Sequence, residues 1–250
     1  AHFMLKEIHE EPRAIRDTLS GRLDKEKGEI ILSEVKLTSE DITRFSNVAI
    51  VACGTAYHAG LVGKRVVEKL VRLPVEADLA SEFRYRDPMI GPATLTIVIS
   101  QSGETADTLA ALREAKRRGS RVVAITNVVG SSVSREADDV IYTWAGPEIA
   151  VASTKTYVTQ LVALYLLGIF LGRKRGTLDE GDACRLLEEV KRLPQHIDML
   201  FGKHEEHVKE LAHEFKNKED IFFIGRGLDY AVAMEGSLKL KEISYIRAEA

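Results

Sequence analysis

The sequence predicts an α/β fold built on a five-stranded parallel sheet covered by helices on both faces. From residue 47 onward, short β-branched apolar runs alternate with segments of helical periodicity. The run Leu95-Thr96-Ile97-Val98-Ile99 passes directly into the hydroxyl-rich stretch Ser100-Gln101-Ser102-Gly103-Glu104-Thr105, as a strand does when it turns into a helix. The chain has 250 residues, 45% hydrophobic and 29% charged, enough for one large or two ordinary domains with real cores.

Residues 1–46 read as an N-terminal linker and helical segment, and 47–176 as a complete domain. Strands are expected at 48–53, 75–79, 94–99, 121–125 and 140–143, the short runs that alternate with helical patterns. Residues 57–71 and 104–118 carry apolar side chains at helical spacing, among them Ala106, Leu109 and Leu112. A buried helix from about 153 to 171 closes the unit. Its apolar run is shorter than the roughly 20 residues of a bilayer span, and Gly172-Arg173-Lys174-Arg175-Gly176 reads as a polar boundary. After charged helical segments over 178–216, a new apolar strand at 221–224 leads into Gly225-Arg226-Gly227. Aligning Ile50 to Tyr57 with Phe223 to Tyr230 matches Gly54 with Gly227 and Tyr57 with Tyr230. Residues 177–250 therefore read as connecting helices and the beginning of a second copy. One strand and one helix are too little to bury a sheet, so further chain is expected beyond Ala250.

Lys plus Arg number 35 against 38 Asp plus Glu, a net charge of -3, which gives no electrostatic argument for nucleic acid or an anionic membrane. A small-molecule partner is expected. Cys53 and Cys184 lie far apart without metal spacing, and no signal-peptide pattern opens the chain, so a reducing, cytoplasmic setting is expected. His204 and His207 are three apart, not the four of a zinc-binding helix pair, and no metal is expected.

In a parallel α/β sheet, ligands sit beyond the carboxyl ends of the strands. Three such ends are polar here: Gly54-Thr55-Ala56, the stretch from Ser100 to Thr105, and Glu148 to Lys155. A helix start offers unpaired N–H groups and partial positive charge, and Ser100, Ser102 and Thr105 add hydroxyls, so the second end reads as a phosphate cradle. A serine N-cap with a threonine in the first turn would give the same pattern. Gln101 is placed to meet a polyol, which favours a phosphorylated sugar. The glycine pattern of a dinucleotide fold is missing. Lys239 and Glu242, three apart, share one helical face. They fit either a solvated ion pair or a base and its partner for a 1,2 proton transfer. His58 fits either a site residue or a packed histidine, and Cys53 lacks a visible base.

Phe3 to Pro12, Ala52 to Tyr57, Ser81-Glu82-Phe83-Arg84-Tyr85-Arg86, Ser100 to Thr108, Gly146 to Lys155 and Leu238 to Ser244 together resemble the isomerase half of the glutamine:fructose-6-phosphate aminotransferases, or glucosamine-6-phosphate synthases. The resemblance runs in order along the whole chain. It implies an SIS-type (sugar isomerase) three-layer sandwich followed by the start of a second, similar SIS domain. It implies conversion of fructose 6-phosphate, with glutamine-derived ammonia, into glucosamine 6-phosphate, without metal or organic cofactor. Ser100, Gln101, Ser102 and Thr105 would hold the phosphate and sugar, with Thr55, Val151 and Ser153 completing the pocket. Ala56, where the family often has serine, would offer only its backbone N–H. Lys239 would assist ring opening and Glu242 would move the proton. The family also implies a homodimer, a glutaminase domain ahead of this segment and a ring-opening histidine beyond it. A stand-alone phosphosugar isomerase and a non-catalytic sugar-phosphate-binding SIS module are the alternatives.

Overall fold

A computed structural model describes residues 2–24 and 29–250. The N-terminal segment forms α1 (Phe3–His9), α2 (Glu11–Leu19), the short pair β1 (Leu23–Asp24) and β2 (Glu29–Ile30), and α3 (Ser39–Arg44). It is packed: Ile15, Ile42 and Phe45 are buried, and α2 lies against the later helices α8 (Lys155–Arg175) and α9 (Glu180–Phe215). The strands that follow are β3 (Asn47–Ala52), β4 (Val75–Leu79), β5 (Thr94–Ser100), β6 (Arg121–Thr126) and β7 (Asp139–Tyr142). Between them run α4 (Gly54–Val71), α5 (Ala80–Phe83), α6 (Ala106–Arg117) and α7 (Ser132–Glu136). All five predicted strands are present, each end within one residue of its expected place.

These five strands make one parallel sheet in the order β4-β3-β5-β6-β7. Alternate residues supply its two faces, as the two-residue period of a strand requires. Ile50, Ala52, Ile97, Ile99 and Ile125 pack under α4 and α8, whereas Val51, Val98, Val122 and Ala124 pack with Phe83, Leu112 and Val133 on the opposite side. The result is three layers. Helices α4 and α8 approach closely through glycines: a Cβ on Gly63 would lie 2.8 Å from Leu164, and one on Gly172 would lie 2.7 Å from the Leu70 carbonyl oxygen. By length and hydropathy α8 could cross a membrane, but 83% of that window is buried in protein, which makes it a core helix here.

Three boundaries differ from the sequence reading. Helix α4 begins at Gly54 rather than 57, because Gly54 adopts a φ of +54° and starts the helix directly off β3. Helix α6 begins only at Ala106, because Gly103, with φ +65°, continues the turn and packs on Ser131. The basic residues Arg173, Lys174 and Arg175 form the last turn of α8, where they complement the helix dipole, and the stop is Gly176 in the left-handed region.

Helix α9 runs for 36 residues and buries only Ala183, Leu187, Val190 and Pro194, all in its first half. Beyond it lie β8 (Asp220–Phe222), α10 (Leu228–Ser244) and β9 (Arg247–Glu249), with β8 and β9 parallel. This βαβ unit follows the pattern of β3, α4 and β4. Gly227 precedes α10 with φ +64°, as Gly54 opens α4 with φ +54°. Strand β8 ends before the expected 224, and Phe222 and Ile224 are exposed.

Candidate active site

The chain leaves β3 to form β4 on one side and returns to form β5 on the other, so the carboxyl ends of β3 and β5 flank a topological switch point. There the chain segments diverge and leave a crevice. A cavity of about 180 Å³ fills it, lined by Cys53, Thr55 and Ala56 from the start of α4, Ile99, Gln101, Ser102, Thr105 and Thr108 around the start of α6, and Ser153 and Gln160 beside α8. Neither α4 nor α6 receives a side-chain cap. By contrast, α3, α7 and α9 are capped by Thr38, Ser131 and Asp179. Two uncapped helix starts thus present their first N–H groups to one polar cavity, the arrangement that binds anions. A larger cleft of about 720 Å³ lies along α4, α8 and α9; Val66, Leu70, Tyr165 and Leu178 are in its lining, and it meets one helix start, that of α10 at Gly227 and Leu228, rather than two.

The hydroxyls of the turn divide. Ser102 Oγ accepts the Glu104 N–H at 3.2 Å and keeps its own proton free. Ser100 is buried: its hydroxyl accepts the Gly103 N–H at 3.1 Å and bonds Thr105 Oγ1 at 3.0 Å. Ser100 therefore shapes the turn and supports Thr105 from behind rather than lining the cavity. Val151 lies outside the lining and is 99% exposed. Its neighbour Ser153 does line the cavity, and bonds Thr156 Oγ1, which donates to Glu148 Oε2 at 2.5 Å. The N-terminal helices hold this loop. Glu7 accepts the Ile149 N–H at 2.6 Å, and Glu10 pairs with the buried Lys155 at 2.7 Å.

Lys239 and Glu242 of α10 reach the same region through Thr55. Lys239 Nζ donates to Thr55 Oγ1 at 2.9 Å and to Glu242 Oε2 at 2.5 Å. The two side chains meet, as both readings of their spacing require. The pair is part of a larger set, because Glu235, one turn before Lys239, accepts from Thr55 Oγ1 at 2.9 Å and meets His58 Nδ1 at 2.7 Å. Glu235 was not singled out from the sequence. Its signal is the spacing 235, 239, 242, which places three ionisable residues on one face of one helix. The other candidates stand apart: His204 and His207 lie on the exposed half of α9, with His207 3.6 Å from Glu210. Among the described residues no three His, Cys, Asp or Glu side chains converge as a metal site would need.

A polar cavity between two uncapped helix starts, at the switch point of an open parallel sheet, defines a three-layer α/β protein with a pocket suited to a small anion. The chain belongs to the SIS domain family, whose model matches residues 41–170. It is 61% identical over 249 residues to the glutamine–fructose-6-phosphate aminotransferase [isomerizing] of Caldanaerobacter subterraneus subsp. tengcongensis, and 59% identical over 249 residues to that of Clostridium tetani. Each match takes in 100% of this chain and 41% of the relative, so the chain spans about two fifths of the length of these curated relatives. The C-terminal domain of glucosamine-fructose-6-phosphate aminotransferase from Francisella tularensis superposes with a TM-score of 0.93 at 42% identity, over 100% of this chain and 69% of that one. Glucosamine-6-phosphate deaminase from Thermotoga maritima, 21% identical with a TM-score of 0.71 over 100% of this chain and 69% of that one, shares the fold. The matched region is the SIS, isomerase part of the aminotransferases, as the sequence motifs indicated.

Proposed function

We propose that this chain is the isomerase module of an enzyme that converts fructose 6-phosphate and glutamine-derived ammonia into glucosamine 6-phosphate. The observation that carries the reading is Thr55, which lines the cavity at the start of α4 and also bonds Lys239, the partner of Glu242. The cavity and the acid–base groups thereby meet at one side chain. In this reading Ser102, Thr105 and the first N–H groups of α6 receive the phosphate, and the first N–H groups of α4, including that of Ala56, meet oxygens of the sugar. Gln101 and Ser153 receive sugar hydroxyls, Ser100 holds Thr105 in place, and Val151 contributes through its backbone alone. Lys239 assists ring opening. Glu242 takes a proton from C1 of the open-chain sugar and returns it to C2, with no net proton consumed.

The relatives' length and names support a glutaminase domain in the whole enzyme, and the sequence resemblance is what supports its acting as a cytoplasmic homodimer. The parallel βαβ unit after α9 and its matching glycine support a second SIS domain beginning within 177–250. The test is incubation with fructose 6-phosphate in deuterated water, followed by proton NMR. Deuterium should enter the ketose and new aldose signals should appear. Glu242→Gln should abolish both while leaving binding within about threefold, because the amide keeps the hydrogen bonding but cannot carry the proton. Retained exchange in that variant would move the base elsewhere.

A further inference from the structure

We infer that Glu235 fixes the hydrogen-bonding polarity of the site: by taking the proton of the Thr55 hydroxyl, it leaves Thr55 able to accept from a ligand but not to donate. The inference rests on the reading of this cavity as a sugar-phosphate site. A threonine hydroxyl has one proton and two lone pairs. Thr55 Oγ1 donates at 2.9 Å to Glu235 Oε1, which as a carboxylate oxygen only accepts. Lys239 Nζ, which as an ammonium has only protons to give, donates to the same hydroxyl at 2.9 Å. One lone pair is left for the cavity that Thr55 lines.

Glu235 is held for this task from several sides. Its residue is only 5% exposed, and a buried carboxylate is costly unless its oxygens are satisfied. Oε1 meets Thr55 and lies 3.5 Å from Lys239 Nζ, and Oε2 meets His58 Nδ1 at 2.7 Å. On α8, the buried Tyr157 hydroxyl has no hydrogen-bond partner, and the phenol is pushed up first by burial and then by the Glu235 charge. The carboxylate is thus fixed by groups from α4 and its own helix, beside α8. Ser153 repeats the arrangement: Thr156 gives its proton to Glu148, so Ser153 must give its own to Thr156 and present lone pairs.

The other wall has the opposite sense. Ser102 has a free proton, and the first N–H groups of α6 are uncapped. Phosphate oxygens accept, whereas sugar hydroxyls also donate. The donor wall therefore takes the phosphate, and Thr55 takes a hydroxyl of the sugar. Glu235 never touches the ligand in this account. It is a positioning residue that acts through Thr55, and it sets which end of the molecule lies beside Lys239 and Glu242.

The test is titration calorimetry with fructose 6-phosphate and, separately, inorganic phosphate, on the wild-type chain and on Glu235→Leu, Thr55→Val, the double variant and Glu235→Gln. Glu235→Leu and Thr55→Val should each weaken fructose 6-phosphate binding about tenfold and change phosphate binding less than about twofold, the loss of one hydrogen bond at one end of the ligand. The double variant should match Thr55→Val alone, because the two residues act in series. Glu235→Gln, whose amide oxygen still accepts from Thr55, should recover wild-type affinity to within about threefold. Thermal unfolding checks that each variant is folded. Should Glu235→Leu fail to fold, Thr55→Val and Glu235→Gln carry the same comparison. Equal losses for both ligands, additive losses in the double variant, or a Glu235→Gln as weak as Thr55→Val would overturn the inference alone. A wild-type chain that binds fructose 6-phosphate no better than phosphate would overturn the functional reading as well.

Discussion

Ser100 and Ser102 stand two residues apart in one turn, yet only Ser102 opens its hydroxyl to the cavity. Ser100 spends its hydrogen bonds on Gly103 and Thr105, so its removal should loosen the turn before it alters ligand contact. The two alanine variants should separate. Ser102→Ala should weaken fructose 6-phosphate binding by about 1–3 kcal/mol with little change in melting temperature, while Ser100→Ala should lower the melting temperature first. Calorimetric titration and thermal unfolding of the two variants would show this, and unchanged affinity in Ser102→Ala would remove that residue from the site. At this scale the sequence was only partly legible. The spacing that exposed Lys239 and Glu242 also contains Glu235, but a glutamate four residues before a lysine is the ordinary pattern of a solvated helix. Nothing in sequence order says that α10 packs on α4 and drives Glu235 against His58. Both readings of His58 turn out to describe one residue, packed and bonded to a site carboxylate. Ser100 was drawn in by the hydroxyls of the turn as well as by the motif, and Val151 by the motif alone, and neither signal specifies which side chain of a turn faces inward.

The three central β-strands were readable nearly to the residue because each is buried on both faces and so is a nearly continuous apolar run, whereas the edge strand β4 alternates buried Val75 with charged Glu76 and Asp78. Helix starts were less so, because glycines at positive φ set them: Gly54 admits a helix three residues early and Gly103 delays one. The N-terminal helices were the least legible element. They read only as a linker and helical segment, but Glu7 and Glu10 are spent on the loop that carries Ser153, Glu10 through Lys155 of α8. Glu11, at the first turn of α2, has no such partner among these contacts. Its carboxyl is pushed up from 4.5 to about 7, first by burial and then by the nearby Glu148 charge. The folded state therefore keeps a proton that the unfolded chain releases near pH 4.5. The stability this proton contributes is complete below about pH 4.5, declines as pH rises, and is gone above about pH 7. Relative to Glu11→Gln, which cannot titrate, the wild type should lose up to about 3 kcal/mol between pH 4.5 and 7.5. Urea unfolding across that range tests it, and parallel profiles for the two proteins would show that Glu11 does not control the slope.

Across the whole molecule, the cavity belongs to the first βαβ array, whereas Glu235, Lys239 and Glu242 belong to the second. The helices α4 and α10 are in contact, and the hydrogen bonds from Thr55 and His58 join them across a gap of 177 to 184 residues in sequence. A ligand at Thr55 therefore binds a junction, and it stabilises only conformations in which that junction is closed. By mass action a ligand at 100 times its Kd adds about 2.7 kcal/mol to such conformations. Amides whose exchange requires α10 to leave α4 should then slow by up to about 100-fold with fructose 6-phosphate, alongside those at the starts of α4 and α6. Amides in the second half of α9 provide the contrast. That half buries no side chain, meets α1 and α2 through Asp198, Phe201 and Glu205, and does not line the cavity, so its exchange should be fast and indifferent to ligand. Hydrogen–deuterium exchange read by mass spectrometry, with and without fructose 6-phosphate, resolves these segments in one experiment. Protection confined to α4 and α6 would leave a phosphate pocket in which α10 takes no part. Protection that extends through 228–244 would mean that the acid–base residues and the phosphate cradle answer to the same bound sugar.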